Sequence, residues 1–377
     1  MKKIGIVTIV DYDNYGNRLQ NYAVQEILKS YGFEVETIKN VPVNEENSKI
    51  ISKIRNANIK LILGKLNQLM LNILKKSDKV YIDALNQRRK SFLEFTNNNI
   101  SESDFVISPK SIPLGLAEKY DYFVVGSDQV WNYNFRFGSS LDFLTFAPKN
   151  IRIALSPSFG VSEVSPKYVE KYSKWLSEFK YLSVREEAGA KIIKKLINRD
   201  ASVLIDPTMM FDLLKWEQLF IASKYKPKNK YILTYILGNL NEHKQKEINN
   251  FAIKNNLVIF NLADKNNTEG FSVGPSEFLD LINDATVFFT DSFHGSIFSI
   301  LFQTPFVVID REDKTQSMNS RLETLLKRFN LQDRNYCNIQ NESDYLNTDF
   351  TNINKILIEE RTKMNDFLSK ALSSDEG

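Results

Sequence analysis

Short apolar, β-branched runs recur along the chain: IGIVTIV, YFVVGS, IRIALS, YLSVRE and SVLIDP, then YILTYIL, LVIFNLA, ATVFFTD and FVVID. Their hydrophobicity is continuous rather than alternating, the pattern of strands covered on both faces. Between many of them the period turns helical. In LQNYAVQEILKSYG, Leu19, Tyr22, Ala23, Leu28 and Tyr31 share one face and Gly32 supplies the stop. Strands alternating with helices predict an α/β fold with mainly parallel sheets.

A chain of 377 residues is long for one core, and two lobes are expected. The pattern breaks at SKYKPKNK, residues 223–230, where charge and Pro227 precede a new set of strands from Tyr231. This predicts an N-terminal lobe over 1–225 and a C-terminal lobe over 226–350. The remainder, 351–377, is a helix and tail: FTNINKILIEERTKMNDFLSKAL reads as one amphipathic helix able to pack on either lobe, and SSDEG as a frayed end.

Composition narrows the classes. Hydrophobic residues at 42% and charged residues at 25% are ordinary for a folded globular protein. Lysine plus arginine number 49 against 46 acids, a formal charge of +3, which argues against a dedicated nucleic-acid binder. The single cysteine, Cys337, can form no internal disulfide and offers no zinc cluster, so a cytoplasmic location is the default expectation. The opening MKKIGIVTIVDYDNYG meets Asp11 and Asp13 too soon for a signal peptide and reads as a first strand. No uncharged apolar stretch reaches the roughly 18 residues of a membrane span. Residues 49–90 hold eleven lysines and arginines against two aspartates, interleaved with LILGKLNQLMLNIL. Such a segment is either a solvated insertion helix with an ordinary buried face or one that lies on an anionic membrane surface.

In open α/β sheets ligands bind beyond the carboxyl ends of the strands, which directs attention to residues just past each apolar run. His294 follows ATVFFTD and precedes the helical GSIFSILFQ, where the imidazole would lie at a helix N-terminus that favours an anion. A capping or core histidine is the alternative. Arg185 follows YLSV and could clamp a carboxylate or phosphate, or pair locally with Glu186 or Glu187. Lys314, beyond FVVID, is a third candidate cation. After YFVV, Gly126 permits close backbone approach, and Ser127 and Asp128 offer polar groups to a sugar or phosphate, or simply cap a helix. After the first strand, Asp13, Asn14, Asn17 and Gln20 form a polar loop suited to acceptor hydroxyls. The DYD there superficially matches a metal-binding aspartate pair, but no further ligand cluster accompanies it and no metal is expected. GxGxxG, GxxxxGK[ST] and GxSxG are absent, which disfavours dinucleotide redox work, P-loop hydrolysis and α/β-hydrolase chemistry. His243, on a polar helix face, reads as solvated.

The ordered set NYGNRLQNYA, DYFVVGSDQVWN, SVREE, LIDPT and DSFHGSIFSI…TPFVVID resembles the polysaccharide pyruvyl transferase family from about residue 4 to residue 330. The resemblance implies a GT-B-like pair of Rossmann-type lobes with the active site in the cleft. It implies phosphoenolpyruvate as donor and an acceptor sugar that receives a cyclic pyruvate ketal, in the building of a surface polysaccharide such as a capsule or exopolysaccharide. The family histidine falls on His294, its strand-end arginine on Arg185 and a later lysine on Lys314. Many members carry an arginine two residues before the histidine, where this chain has Ser292; Arg311 or Arg321 could replace it. On this resemblance Gly295 and Ser296, beside His294, would contact the donor, and Asp13 or Asp128 would orient or deprotonate the acceptor. The acceptor could be carried on a polyprenyl diphosphate, which the basic segment would suit. Two rival expectations stand: a nucleotide-sugar-dependent glycosyltransferase on the same architecture, and a non-catalytic carbohydrate-binding protein, the latter motivated by Ser292.

Overall fold

The structure, a computed structural model, describes residues 1–42, 79–265, 268–311 and 319–373. Strands β1 (Lys3–Val7), β2 (Glu34–Asn40), β3 (Glu102–Ile107), β4 (Tyr122–Val125), β5 (Arg152–Ala154), β6 (Tyr181–Val184) and β7 (Ser202–Val203) form one sheet, in the order β3-β2-β1-β4-β5-β6-β7. A second sheet contains β8 (Tyr231–Tyr235), β9 (Val258–Asn261), β10 (Val287–Thr290) and β11 (Phe306–Val308), ordered β11-β10-β8-β9. Every strand pair in both is parallel. The continuous runs behave as their composition requires: β4, β8, β10 and β11 are buried at every position. Burial on both faces leaves no room for a polar side and removes the alternation of a half-exposed strand.

The helices described are α1 (Tyr15–Ser30), α2 (Lys79–Asn99), α3 (Tyr133–Arg136), α4 (Pro166–Ser177), α5 (Glu187–Ile197) and α6 (Leu213–Glu217), followed by α7 (Glu242–Lys254), α8 (Thr268–Phe271), α9 (Pro275–Asn283), α10 (Phe293–Phe302), α11 (Asn319–Arg328) and α12 (Ile353–Leu372). Helix α1 ends where expected: Tyr31 is the cap and Gly32 follows with φ +86°. Strand order reverses between β1 and β4 in the first sheet and between β8 and β10 in the second. Those two points are where open α/β sheets place ligands.

The lobes share an apolar core. Tyr15 at the start of α1 stacks flat on Phe278 of α9, with ring centroids 4.3 Å apart, and Trp216 of α6 meets Phe298 of α10 edge-on at 4.9 Å. Helix α12 returns to the first lobe. Arg361 donates through Nε to the Met209 carbonyl (2.8 Å) and through Nη2 to that of Phe211 (2.7 Å), while the Tyr122 hydroxyl donates to the Leu372 carbonyl (3.2 Å).

Of the basic segment 49–90, residues 49–78 lie outside the described residues, as do 374–377 of the tail. The remainder, at the start of α2, has an ordinary buried face on which Arg88 is buried at the lobe junction. It donates to the Tyr15 hydroxyl (2.5 Å), to the Asp13 carbonyl (2.8 Å) and, across the junction, to the Phe271 carbonyl (3.2 Å). Among the described residues no helix is long and apolar enough to cross a membrane. Cys337 is an exposed free thiol.

Candidate active site

The site grows from strand ends at both reversal points. Past β1, Asn14 caps α1 by accepting the Asn17 N–H (3.0 Å). The Asn17 side chain then organises the loop. Its Oδ1 accepts the Asp11 N–H (2.9 Å), and its Nδ2 donates to the Ile9 carbonyl (2.8 Å) and to Asp128 Oδ2 (3.1 Å). Past β4, a Cβ on Gly126 would lie 2.2 Å from the Leu155 carbonyl oxygen, and φ there is +117°. Only glycine lets the chain turn so close to its neighbour. The turn places Asp128 beside Asn17 and Arg185.

Arg185, past β6, is buried, as are Asp206, Asp128 and His294. Its Nη1 donates to Asp206 Oδ2 at 2.6 Å, and its Nη2 lies 3.8 Å from Asp128 Oδ1. Neither Nε nor Nη2 makes a hydrogen bond. Asp206 Oδ1 accepts the backbone N–H (3.0 Å) and hydroxyl (2.7 Å) of Thr208, and Oδ2 also accepts the Ser127 hydroxyl (3.2 Å). From the second lobe His294 points Nε2 at this carboxylate, 3.6 Å from Oδ2. The imidazole rests on the start of α1: a Cβ on Gly16 would fall 2.0 Å from His294 Nδ1.

Electrostatics follow from this packing. Burial alone would raise the Asp206 carboxyl, but His294 and Arg185 outweigh it and hold the group well below the usual carboxylate range. Asp128 is likewise lowered, burial being overcome by Arg185, His294, Asn17 and Arg321. Asp13 is raised, because burial outweighs the pull of Arg88 and Arg89, whose Nε atoms each lie 3.9 Å from its carboxylate. Arg321 on α11 is buried, and desolvation followed by the charge of Arg185 lowers it to about 10. Two carboxylates, an imidazole and two guanidiniums therefore form one cluster, all buried, where the strand ends of the two sheets meet.

Not every expected residue reaches it. Ser292 caps α10, its Oγ accepting the Gly295 N–H (3.2 Å). The Ser296 hydroxyl donates to the Ser292 carbonyl (3.2 Å), and Gly295 faces Phe288 and Thr290 of the sheet. In these contacts the N–H of Gly295 and the hydroxyl of Ser296 bond inside the helix. Gln20 donates to Thr8 Oγ1 (3.2 Å) and to the Asn17 carbonyl (3.1 Å), fully buried, and Ser127 is turned to Asp206 and the Ser156 carbonyl (3.0 Å), so both brace the loops. Arg185 bonds to Asp206, not to Glu186, whose Oε1 accepts the Ser158 hydroxyl (3.0 Å) and the Phe159 N–H (2.9 Å). Arg311 is held by Asp291 (2.9 Å), which leaves Arg321 as the guanidinium beside Arg185. Lys314 lies outside the described residues. His243 is exposed, 3.5 Å from Glu247. Asp206 was missed as a site residue. Its signal was LIDPT, an acid directly after an apolar run.

A two-lobed parallel α/β protein with a buried cluster of carboxylates, an imidazole and guanidiniums between its strand ends is the class that fold and site define. The chain belongs to the polysaccharide pyruvyl transferase family, whose sequence profile matches residues 14–313. No curated protein sequence matches significantly. Among solved structures, a protein assigned as a UDP-N-acetylglucosamine 2-epimerase from Listeria monocytogenes is similar at 10% identity, covering 97% of this chain and 98% of that one, with a TM-score of 0.47. UDP-GlcNAc 2-epimerase from Neisseria meningitidis aligns at 12% identity over 96% and 100%, with a TM-score of 0.36. UGT2 of Phytolacca americana aligns at 10% over 100% and 97%, with a TM-score of 0.42.

Proposed function

We propose that this protein transfers pyruvate from phosphoenolpyruvate to two hydroxyls of an acceptor sugar as a cyclic ketal, in the assembly of a surface polysaccharide. The observation that carries the reading is Arg185, buried with Nε and Nη2 making no hydrogen bond and sharing the Asp206 carboxylate with the imidazole of His294. Buried guanidinium N–H groups are costly unless an anion receives them. Phosphoenolpyruvate brings two, a phosphate and a carboxylate.

In the proposed sequence His294 delivers a proton to the methylene carbon of the donor, leaving electron deficiency at C2. One sugar hydroxyl attacks C2 and gives up its proton. The C2–O bond to phosphate then breaks, phosphate departs with the electron pair, and the second hydroxyl closes the ketal. Two hydroxyl protons are released, one replacing the proton used at carbon and one leaving with phosphate. Asp206, held ionised, faces the imidazole from 3.6 Å and orients it, while Asp128 and Asp13 are the candidates to receive hydroxyl protons. Both lobes would contribute to the donor site, since Arg185 belongs to the first and His294 to the second. Because the lipid-linked form of the acceptor rests on a segment outside the described residues, a free oligosaccharide is the simpler substrate to try.

Calorimetric titration of phosphoenolpyruvate into wild-type protein and Arg185→Ala, in metal-free buffer with an acceptor analogue present, tests the reading. Saturable binding lost in the variant supports it. Binding of a nucleoside diphosphate sugar with none of phosphoenolpyruvate would move the assignment to glycosyl transfer.

A further inference from the structure

The ring of Phe293, next to the histidine, lies under two guanidiniums. Arg185 Cζ is 4.3 Å from its centroid and Arg321 Cζ is 5.5 Å, so the two charges are no farther apart than those distances combined. One comes from the first lobe past β6, the other from α11 of the second, and all three side chains are buried. Like charges brought together away from water repel. Three buried carboxylates face them: Asp206 accepts from Nη1 of Arg185, Asp128 stands 3.8 Å from Nη2, and Glu186, whose Oε1 accepts from Ser158, Phe159 and Gly160, has an Oε2 that makes no hydrogen bond. Arg311 adds further positive charge and is tied to Asp291. The aromatic face is what both cations share.

We infer that Phe293 is a positioning residue that holds Arg185 and Arg321 as one paired clamp across the lobes, built for a doubly charged group such as a phosphate. The inference rests on the reading of the cleft as the donor site. It adds a specific consequence: anion binding joins the lobes through the ring at 293.

The test uses the full chain and two probes, inorganic phosphate and phosphoenolpyruvate, read by thermal shift, calorimetry and steady-state kinetics in wild type, Phe293→Leu and Phe293→Tyr. Loss of a desolvated cation–π contact predicts a rise of at least about fivefold in Kd for both anions in the leucine variant. KM for the donor rises with it while kcat changes less, and tyrosine restores both. Unchanged phosphate affinity in a folded Phe293→Leu protein overturns the inference and leaves the pyruvyl-transfer reading standing. Wild type that binds phosphate but neither binds nor turns over phosphoenolpyruvate sinks that reading and keeps the clamp, whereas wild type that binds neither anion removes both. Should the leucine variant fold poorly, the cycle of Arg185→Gln and Arg321→Gln decides: strongly non-additive losses in phosphate affinity support a pair, and additive losses refute it.

Discussion

Gly16 and His294 meet so closely that no other residue fits at 16. A methyl group there would overlap Nδ1, with 2.0 Å between centres, and drive the imidazole out of line with Asp206. Gly16→Ala is therefore expected to lower turnover by about 100-fold, the scale of a misplacement of about 1 Å, with a modest fall in melting temperature. His294→Ala should cost at least about 100-fold in turnover while the protein stays folded, and near-normal rates would remove the histidine from the mechanism. Asp206→Asn breaks a buried ion pair and should destabilise the protein by about 3 kcal/mol at neutral pH in urea titrations. The sign of its pH dependence is fixed by the lowered carboxyl: the contribution is present above the unfolded-state pKa near 4 and is lost as pH falls towards the native value. The wild-type advantage over Asp206→Asn should thus shrink below about pH 4. His294 and Arg185 were legible as candidates because each follows a strand whose end the hydrophobic pattern marks. The partners that hold them were not. Asp206 is 21 residues from Arg185 and 88 from His294, Gly16 is 278 from His294, and only the fold brings them together.

Among the elements, helix α10 separates capping from ligand binding. Ser292→Ala removes a cap and should cost about 1 kcal/mol of stability, with donor affinity little changed. A large loss of affinity at unchanged stability would instead return Ser292 to the binding site. The strands read as continuous apolar runs are all present, but β2 and β3 escaped notice. Strand β2, EVETIKN, buries Thr37 and Asn40 among its apolar positions, and the Thr37 hydroxyl donates to Asn21 Oδ1 (2.6 Å) inside the lobe. Buried polar residues satisfied by a neighbouring helix break the hydrophobic signature without weakening the strand. Strand β3 is at the sheet edge and is only partly covered, so its pattern resembles that of a loop.

For the whole molecule, the lobe junction rests on Arg88 and the aromatic cluster around Tyr15. Replacing Arg88 by methionine leaves the Asp13 and Phe271 carbonyls and the Tyr15 hydroxyl without the guanidinium donor, while the Val273 carbonyl keeps the Tyr15 hydroxyl (2.8 Å). A loss of about 3 kcal/mol and a larger radius of gyration in small-angle scattering are expected, and an unchanged radius would show that the aromatic stack suffices alone. The division into two parallel sheets was legible from the alternation of strand and helix. The path of α12 was not, since its apolar stripe would suit either lobe; backbone acceptors at Met209 and Phe211 for Arg361 decide it.

The exposed thiol of Cys337 is the only cysteine in the chain, and the three tryptophans, Trp131, Trp175 and Trp216, all precede the second sheet. Nature has thus supplied an optical ruler with its two marks on opposite halves. A fluorophore coupled to the native sulfur would accept energy from indoles in the other half, so any drawing together of the halves on anion capture would be visible in the unaltered polypeptide.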